Sequence, residues 1–220
     1  MILSPLLRLC LAFALISSSA VFAEPRPQAI EATPSAMQII RRLLGVSQRV
    51  AAAGSRSDQG LGVCLITPSL NFKQNDKENI VLFSRPAFVS KEPLNEIQIS
   101  LGTQQWRALA SSKKDVERIV DWPFLPLKGG ETIVIRLRPK GAAGGDYSEL
   151  RFTAASSEVL AQNSALVMGL GSNEKSWINS IKSKSSQDPK LAIALLFSPS
   201  APDSEQVKQM RNLLIESSCY

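Results

Sequence analysis

Hydrophobic and polar residues alternate with a period of two through the middle of the chain. The clearest case follows Gly130, where Ile133, Ile135 and Leu137 fall on one side and Arg136 and Arg138 on the other. Because successive side chains of a strand point to opposite faces, this pattern predicts a strand with one buried face. Several such short runs, separated by turn residues, predict an antiparallel β-sandwich over residues 61–154.

One hairpin of this region can be placed from its turn, Gly102-Thr103. Alternating apolar residues precede and follow that turn: Ile97, Ile99 and Leu101, then Trp106, Ala108 and Ala110. A continuous apolar run, Ile80–Phe83, instead predicts a strand that is buried on both faces. The glycine-rich stretch Gly141–Asp146 lies between two predicted strands, so it is interpreted as a hairpin loop and not as a phosphate-binding loop.

Apolar spacing becomes helical after Thr153, which predicts a helical extension over residues 155–220. Asp188-Pro189 is expected to begin its third helix and Asp203 to cap its fourth. Before the sandwich, residues 24–60 form a linker with one short amphipathic helix, Pro34–Val50. That helix could dock on the sandwich, on a partner, or peripherally on a membrane with its arginines toward the headgroups.

The first 23 residues have the pattern of a secretory signal peptide. Arg8 precedes a mostly apolar run, and Val21-Phe22-Ala23 offers small residues at the two positions that a signal peptidase recognises. The apolar run is too short to span a bilayer. We therefore expect cleavage after Ala23 and a periplasmic or secreted protein.

Charge and composition exclude several classes of function. The formal net charge is +6, which favours anionic surfaces such as envelope polymers. Nucleic acid is not expected as a partner, because aromatic residues do not alternate with the basic ones. The chain contains no histidine, which excludes Ser-His-Asp catalysis and histidine-based zinc sites. No catalytic, cofactor-binding or metal-binding residues are assigned.

Two cysteines, Cys64 and Cys219, remain after the predicted cleavage. In an oxidising compartment, two cysteines suggest one disulfide that ties the start of the sandwich to the C-terminus. The alternative is a buried thiol and a separate exposed thiol.

Three segments of the predicted sandwich recur in order in a known pattern: Gly62–Pro68, Phe83–Phe88 and Pro126–Thr132. Together they resemble an uncharacterised family of secreted proteins that is frequent in cyanobacteria. The resemblance implies an immunoglobulin-like sandwich followed by a helical tail, and it implies no catalytic residues. The family usually has Trp-Ser-Asp before Arg-Pro, whereas this chain has Leu82-Phe83-Ser84 before Arg85-Pro86.

Four arginines are candidates for contact with an anion or a partner. Arg136 and Arg138 share a strand face, and Arg151 could stand beside them on the next strand. The alternative is an ordinary solvated face with Glu149 as counter-charge. Arg85, after a predicted strand, could bind a partner or pair with an acid at the edge of the sandwich.

Two Ser-x-x-Lys spacings, Ser111–Lys114 and Ser172–Lys175, match a known catalytic pattern. That chemistry needs a buried lysine, and both lysines stand in polar surroundings. The sequence therefore predicts a secreted, non-enzymatic interaction protein of the cell envelope that contacts a protein or an anionic polymer. Alternatives are an extracytoplasmic serine- or carboxylate-dependent hydrolase and a periplasmic chaperone-like protein.

Overall fold

The computed structural model of the protein describes residues 36–44, 48–50, 63–70, 79–111, 114–142 and 144–219. These residues belong to one compact unit, Pro34–Tyr220. The predicted signal peptide, its cleavage point and most of the linker lie outside the described residues.

Short strands occupy the middle of the chain. They are β1 (Gln48–Val50), β2 (Val63–Thr67), β3 (Asn79–Val81), β4 (Phe88–Ser90), β5 (Leu94–Leu101), β6 (Gln104–Leu109), β7 (Ile119–Val120), β8 (Thr132–Pro139) and β9 (Ser148–Ala154). The predicted hairpin is confirmed, because β5 and β6 pair antiparallel across the Gly102-Thr103 turn.

Helices precede and follow the strands: α1 (Ala36–Leu43), α2 (Ser157–Leu170), α3 (Glu174–Gln187), α4 (Pro189–Leu196) and α5 (Glu205–Ser217). The start of α4 follows the prediction, since the Asp188 carboxylate accepts from the Leu191 amide at 3.0 Å and Pro189 is the first helical residue. The cap of α5 was predicted one residue too early. Ser204 caps that helix, and Asp203 instead pairs with Lys208 Nζ at 2.9 Å.

The strands form two sheets, one of four strands in the order β1-β2-β4-β7 and one of five in the order β3-β9-β8-β5-β6. Every pair is antiparallel except β3 with β9, which is parallel. The prediction of a purely antiparallel sandwich was therefore wrong at the β3 edge of the five-stranded sheet. Alternation of residue types determines which side chains share a face, but it does not determine the direction of a neighbouring strand.

The four-stranded sheet lies between the five-stranded sheet and the helices. On one face, Val63 and Leu65 pack with Phe88 in a core shared with the five-stranded sheet. On the other face, Cys64 and Ile66 join the helical core. This two-sided burial explains why all five positions of β2 are buried, and it shows that the helices share a core with the sheets.

Two further predictions need correction. The helix predicted over Pro34–Val50 ends at Leu43, and Gln48–Val50 is instead a strand that pairs with β2. The run Ile80–Phe83 was predicted to be buried, yet β3 is an edge strand and Ile80 is 46% exposed. In both cases a non-local pairing decided the structure, which the local pattern could not show.

A disulfide joins Cys64 of β2 to Cys219, just after α5. The predicted pairing is therefore present in the structure, and it links residues 155 positions apart. The bond is compatible with an oxidising, extracytoplasmic compartment.

Candidate interaction surfaces

The outer face of the five-stranded sheet brings together three of the four candidate arginines. Arg136 Nε lies 2.9 Å from Glu149 Oε2, and Arg151 Nη2 lies 3.3 Å from Glu149 Oε1. Arg138 Nη2 lies 2.9 Å from Glu96 Oε2. Each of these three arginines thus has a carboxylate partner within its own sheet face.

Glu96 is the centre of a second, buried set of contacts on this face, which sequence reasoning missed. Its side chain is 0% exposed, and its Oε1 accepts from Gln98 Nε2 at 2.6 Å and from Arg107 Nε. Its Oε2 accepts from Arg138 Nη2 at 2.9 Å and from the Tyr147 hydroxyl at 2.8 Å. The carboxylate therefore receives four donors from four neighbouring positions on the sheet and the adjoining loop.

The electrostatics of this cluster favour an ionised Glu96. Desolvation by burial would raise its pKa, but the hydrogen bonds from Arg107, Gln98 and Tyr147 lower the pKa to about 2. The same contact raises the pKa of the Tyr147 hydroxyl, because donation to Glu96 stabilises the protonated phenol. The charges and hydrogen bonds of these groups are satisfied within the cluster, which is typical of a cluster that stabilises the fold.

Beside this cluster, the Arg138 guanidinium lies 5.8 Å from the centroid of the Tyr147 ring. Its Nε is buried and, among the described residues, has no hydrogen-bond partner. Lys140, in the turn just after β8, pairs through its Nζ with Asp115 Oδ2 at 2.9 Å. The basic residues Arg136, Arg138, Lys140 and Arg151 are thus each paired with an acidic side chain.

Strand β6 forms one edge of the five-stranded sheet. The Ala110 amide donates to the Asn95 carbonyl at 2.8 Å. This bond shows which residues of β6 direct their backbone groups toward β5. With the observed register, Gln105, Arg107 and Leu109 are the positions whose amide and carbonyl groups point away from β5. Within the part of the chain that the structure describes, no backbone hydrogen bond reaches these groups.

A groove of about 480 Å³ runs between β6 and the region around β7. Trp106, Ala108 and Leu109 line it from β6, and Val116, Ile119 and Val120 line it from the other side. Polar residues form the rest of the lining: Ser111, Lys114, Asp115, Glu117 and Asp121. An exposed strand edge thus lies directly beside a groove that is lined by both apolar and polar side chains.

The three tryptophans do not form one platform. Trp122 and Trp177 are buried, at 6% and 0% exposure, and belong to the two hydrophobic cores. Trp106 is half-buried and lines the groove.

Arg85 lies apart from the other candidates. It is exposed in the connection between β3 and β4 and faces α4 across a separate groove. It makes no ion pair with any acid of the described residues.

Neither Ser-x-x-Lys pair has the buried lysine that serine activation needs. Lys114 is 71% exposed and its Nζ bonds Glu117 at 2.7 Å. Ser172 and Lys175 are both exposed. The desolvation that lets a lysine activate a serine is therefore missing at both pairs.

Comparison of the chain with known protein families, with curated proteins and with solved structures found no match. Across the described ranges, no helix is long and apolar enough to cross a membrane. The same residues contain no group of three or more Cys, Asp or Glu side chains positioned to hold a metal ion.

Proposed function

We propose that the protein is a non-enzymatic interaction module of an extracytoplasmic compartment, with an immunoglobulin-like arrangement of its two sheets. In this proposal, a partner protein adds an extended segment to β6 and extends the five-stranded sheet. Such strand addition uses main-chain hydrogen bonds for affinity and alternate side-chain pockets for specificity.

The observation that carries this proposal is the length and exposure of the β6 edge. Within the described residues, the other three edge strands, β1, β3 and β7, have three, three and two residues, whereas β6 has six. Natural proteins protect long edges with proline, lysine or a bulge. The β6 segment contains neither residue and no bulge, and its one charged residue, Arg107, is held by Glu96.

The adjoining groove indicates which side chains the partner segment should carry. Side chains of an added strand that point to the same face as Trp106 and Ala108 would lie over the groove, which has an apolar floor. We therefore expect a partner segment with apolar residues at alternate positions. An anionic polymer is a less favoured partner, because it would have to displace Glu96 and Glu149 from the three arginines of the outer face.

The test uses a photo-crosslinking residue at Leu109, which is 53% exposed at the β6 edge. In native envelopes, this position should give a discrete crosslinked species. Substituting Gln105→Pro removes an outward amide without removing a bond to β5, so it should abolish the species. Gln105→Ala keeps the amide and should retain the species.

A crosslinking residue at Leu125, which is 76% exposed and is not part of β6, serves as the positional control. Hydrogen exchange on the isolated complex should show new protection at the amides of residues 105, 107 and 109. If the species survives Gln105→Pro, or also forms from position 125, strand addition at β6 is wrong.

A further inference from the structure

A second groove runs along the connection between β3 and β4 and contains Arg85. Two adjoining cavities form it, and both are lined by Phe83, Arg85 and Ser198. One cavity, of about 20 Å³, extends to Lys190 and Phe197 of the α4 region. The other, of about 220 Å³, extends toward α2 and the turn after α4.

The lining of this groove is mainly hydrocarbon, and part of it is exposed. Ile80 is 46% exposed in the first cavity and Met168 is 75% exposed in the second. They are two of the few large apolar side chains that are exposed to solvent among the described residues. Exposed apolar residues grouped beside a cavity are typical of a binding groove.

The charged side chains that line the groove in the described part of the chain are all basic. Among the described residues, Arg85 and Lys190 are the charged residues of the lining, and no described acidic residue lines either cavity. Neither cation takes part in an ion pair or side-chain hydrogen bond within the described ranges, unlike the arginines of the outer sheet face. An anionic group would therefore find two cations without first displacing a carboxylate.

The walls of the groove are held in place before any ligand binds. On the sheet side, Asn163 Nδ2 donates to the Leu82 carbonyl and the Leu127 amide donates to the Ser84 carbonyl, both at 2.8 Å. On the helix side, Arg211 donates to the Leu196 carbonyl at 2.8 Å. A preformed groove lowers the entropy that a ligand must lose in ordering its site.

We infer that this groove binds a single-chain anionic amphiphile of the fatty-acid class. Its carboxylate pairs with Arg85 and Lys190, and its hydrocarbon chain lies along Phe83 toward Met168. This site is separate from β6, so the inference does not depend on the proposed function.

The test measures binding of decanoate to the full-length mature protein by isothermal titration calorimetry, below the micelle concentration. Wild-type protein should bind decanoate, and it should bind decyltrimethylammonium at least tenfold more weakly, because that amphiphile has a matched chain and the opposite charge. The Arg85→Met and Lys190→Met double variant should bind decanoate at least tenfold more weakly than wild type. Lys175→Met, which removes an exposed lysine from α3, should bind like wild type.

Thermal melting of each variant shows whether it is folded. If the double variant unfolds, titrations of the wild-type protein at increasing salt concentration test the inference instead. Salt should weaken decanoate binding if the two cations hold the headgroup. The inference is overturned if decanoate does not bind, if both amphiphiles bind equally, or if the folded double variant binds like wild type. Binding only to anionic vesicles, or only to a peptide with a free C-terminal carboxylate, would also overturn it.

Discussion

Replacing Glu96 by glutamine tests the buried carboxylate cluster of the outer sheet face. Folding lowers the pKa of this carboxyl from its ordinary 4.5 to about 2. A decrease of that size corresponds to about 3 kcal/mol of stability at neutral pH. Glu96→Gln should therefore lower the free energy of unfolding by roughly 3 kcal/mol at pH 7, since it leaves Arg107 and Arg138 without their anion.

The pH dependence follows from the direction of this change. Because the folded-state pKa lies below the unfolded value, the contribution of Glu96 is complete above about pH 5. It is lost as the pH falls from 4.5 toward 2. The difference between wild type and Glu96→Gln should accordingly shrink toward zero over that range.

Urea unfolding followed by tryptophan fluorescence, at several pH values between 2 and 7, measures both effects. Glu149→Gln is the matched control, because Glu149 pairs with two arginines on the same face but is 36% exposed. Its loss should be much smaller. The reasoning is refuted if Glu96→Gln is as stable as wild type at neutral pH, or if its deficit is unchanged at pH 2.

Two other changes test the disulfide and a close backbone contact. Replacing Cys64 and Cys219 by alanine should destabilise the protein by up to about 5 kcal/mol on the chain-entropy estimate, and an unchanged melting temperature in calorimetry would contradict this. A Cβ on Gly129 would lie 2.4 Å from the Ser157 amide nitrogen, so Gly129→Ala should cost about 1–3 kcal/mol in urea unfolding. Gly169→Ala, in open helical surroundings, should be neutral or stabilising, and equal effects of the two substitutions would refute the contact argument.

Much of the local structure was predictable because it depends on neighbouring residues. The Gly102-Thr103 turn and its alternating flanks predicted the β5–β6 hairpin. Asp188-Pro189 predicted the start of α4, because a capping carboxylate and a proline act within one turn. The alternation around Ile135 predicted correctly which face of β8 is buried.

The candidate sites were predictable only in part. Arg136, Arg138 and Arg151 do share one face, as alternation implied, but their pairing with Glu96 and Glu149 depends on the register of three strands. The alternation of Ile97 and Ile99 put Glu96 on the opposite face, which was the available signal. It did not show that two arginines and a tyrosine would converge there.

From its residues alone, this chain determined where strands alternate, where turns and helix caps fall, and that two cysteines were available to pair. Those features arise from contacts within a few positions of the sequence. The tertiary structure decided that β3 runs parallel to β9, that β6 is left as the long open edge, and that Arg85 and Lys190 share a groove. Residues far apart in the chain make these arrangements, and their geometry exists only once both sheets and the helices pack on one another.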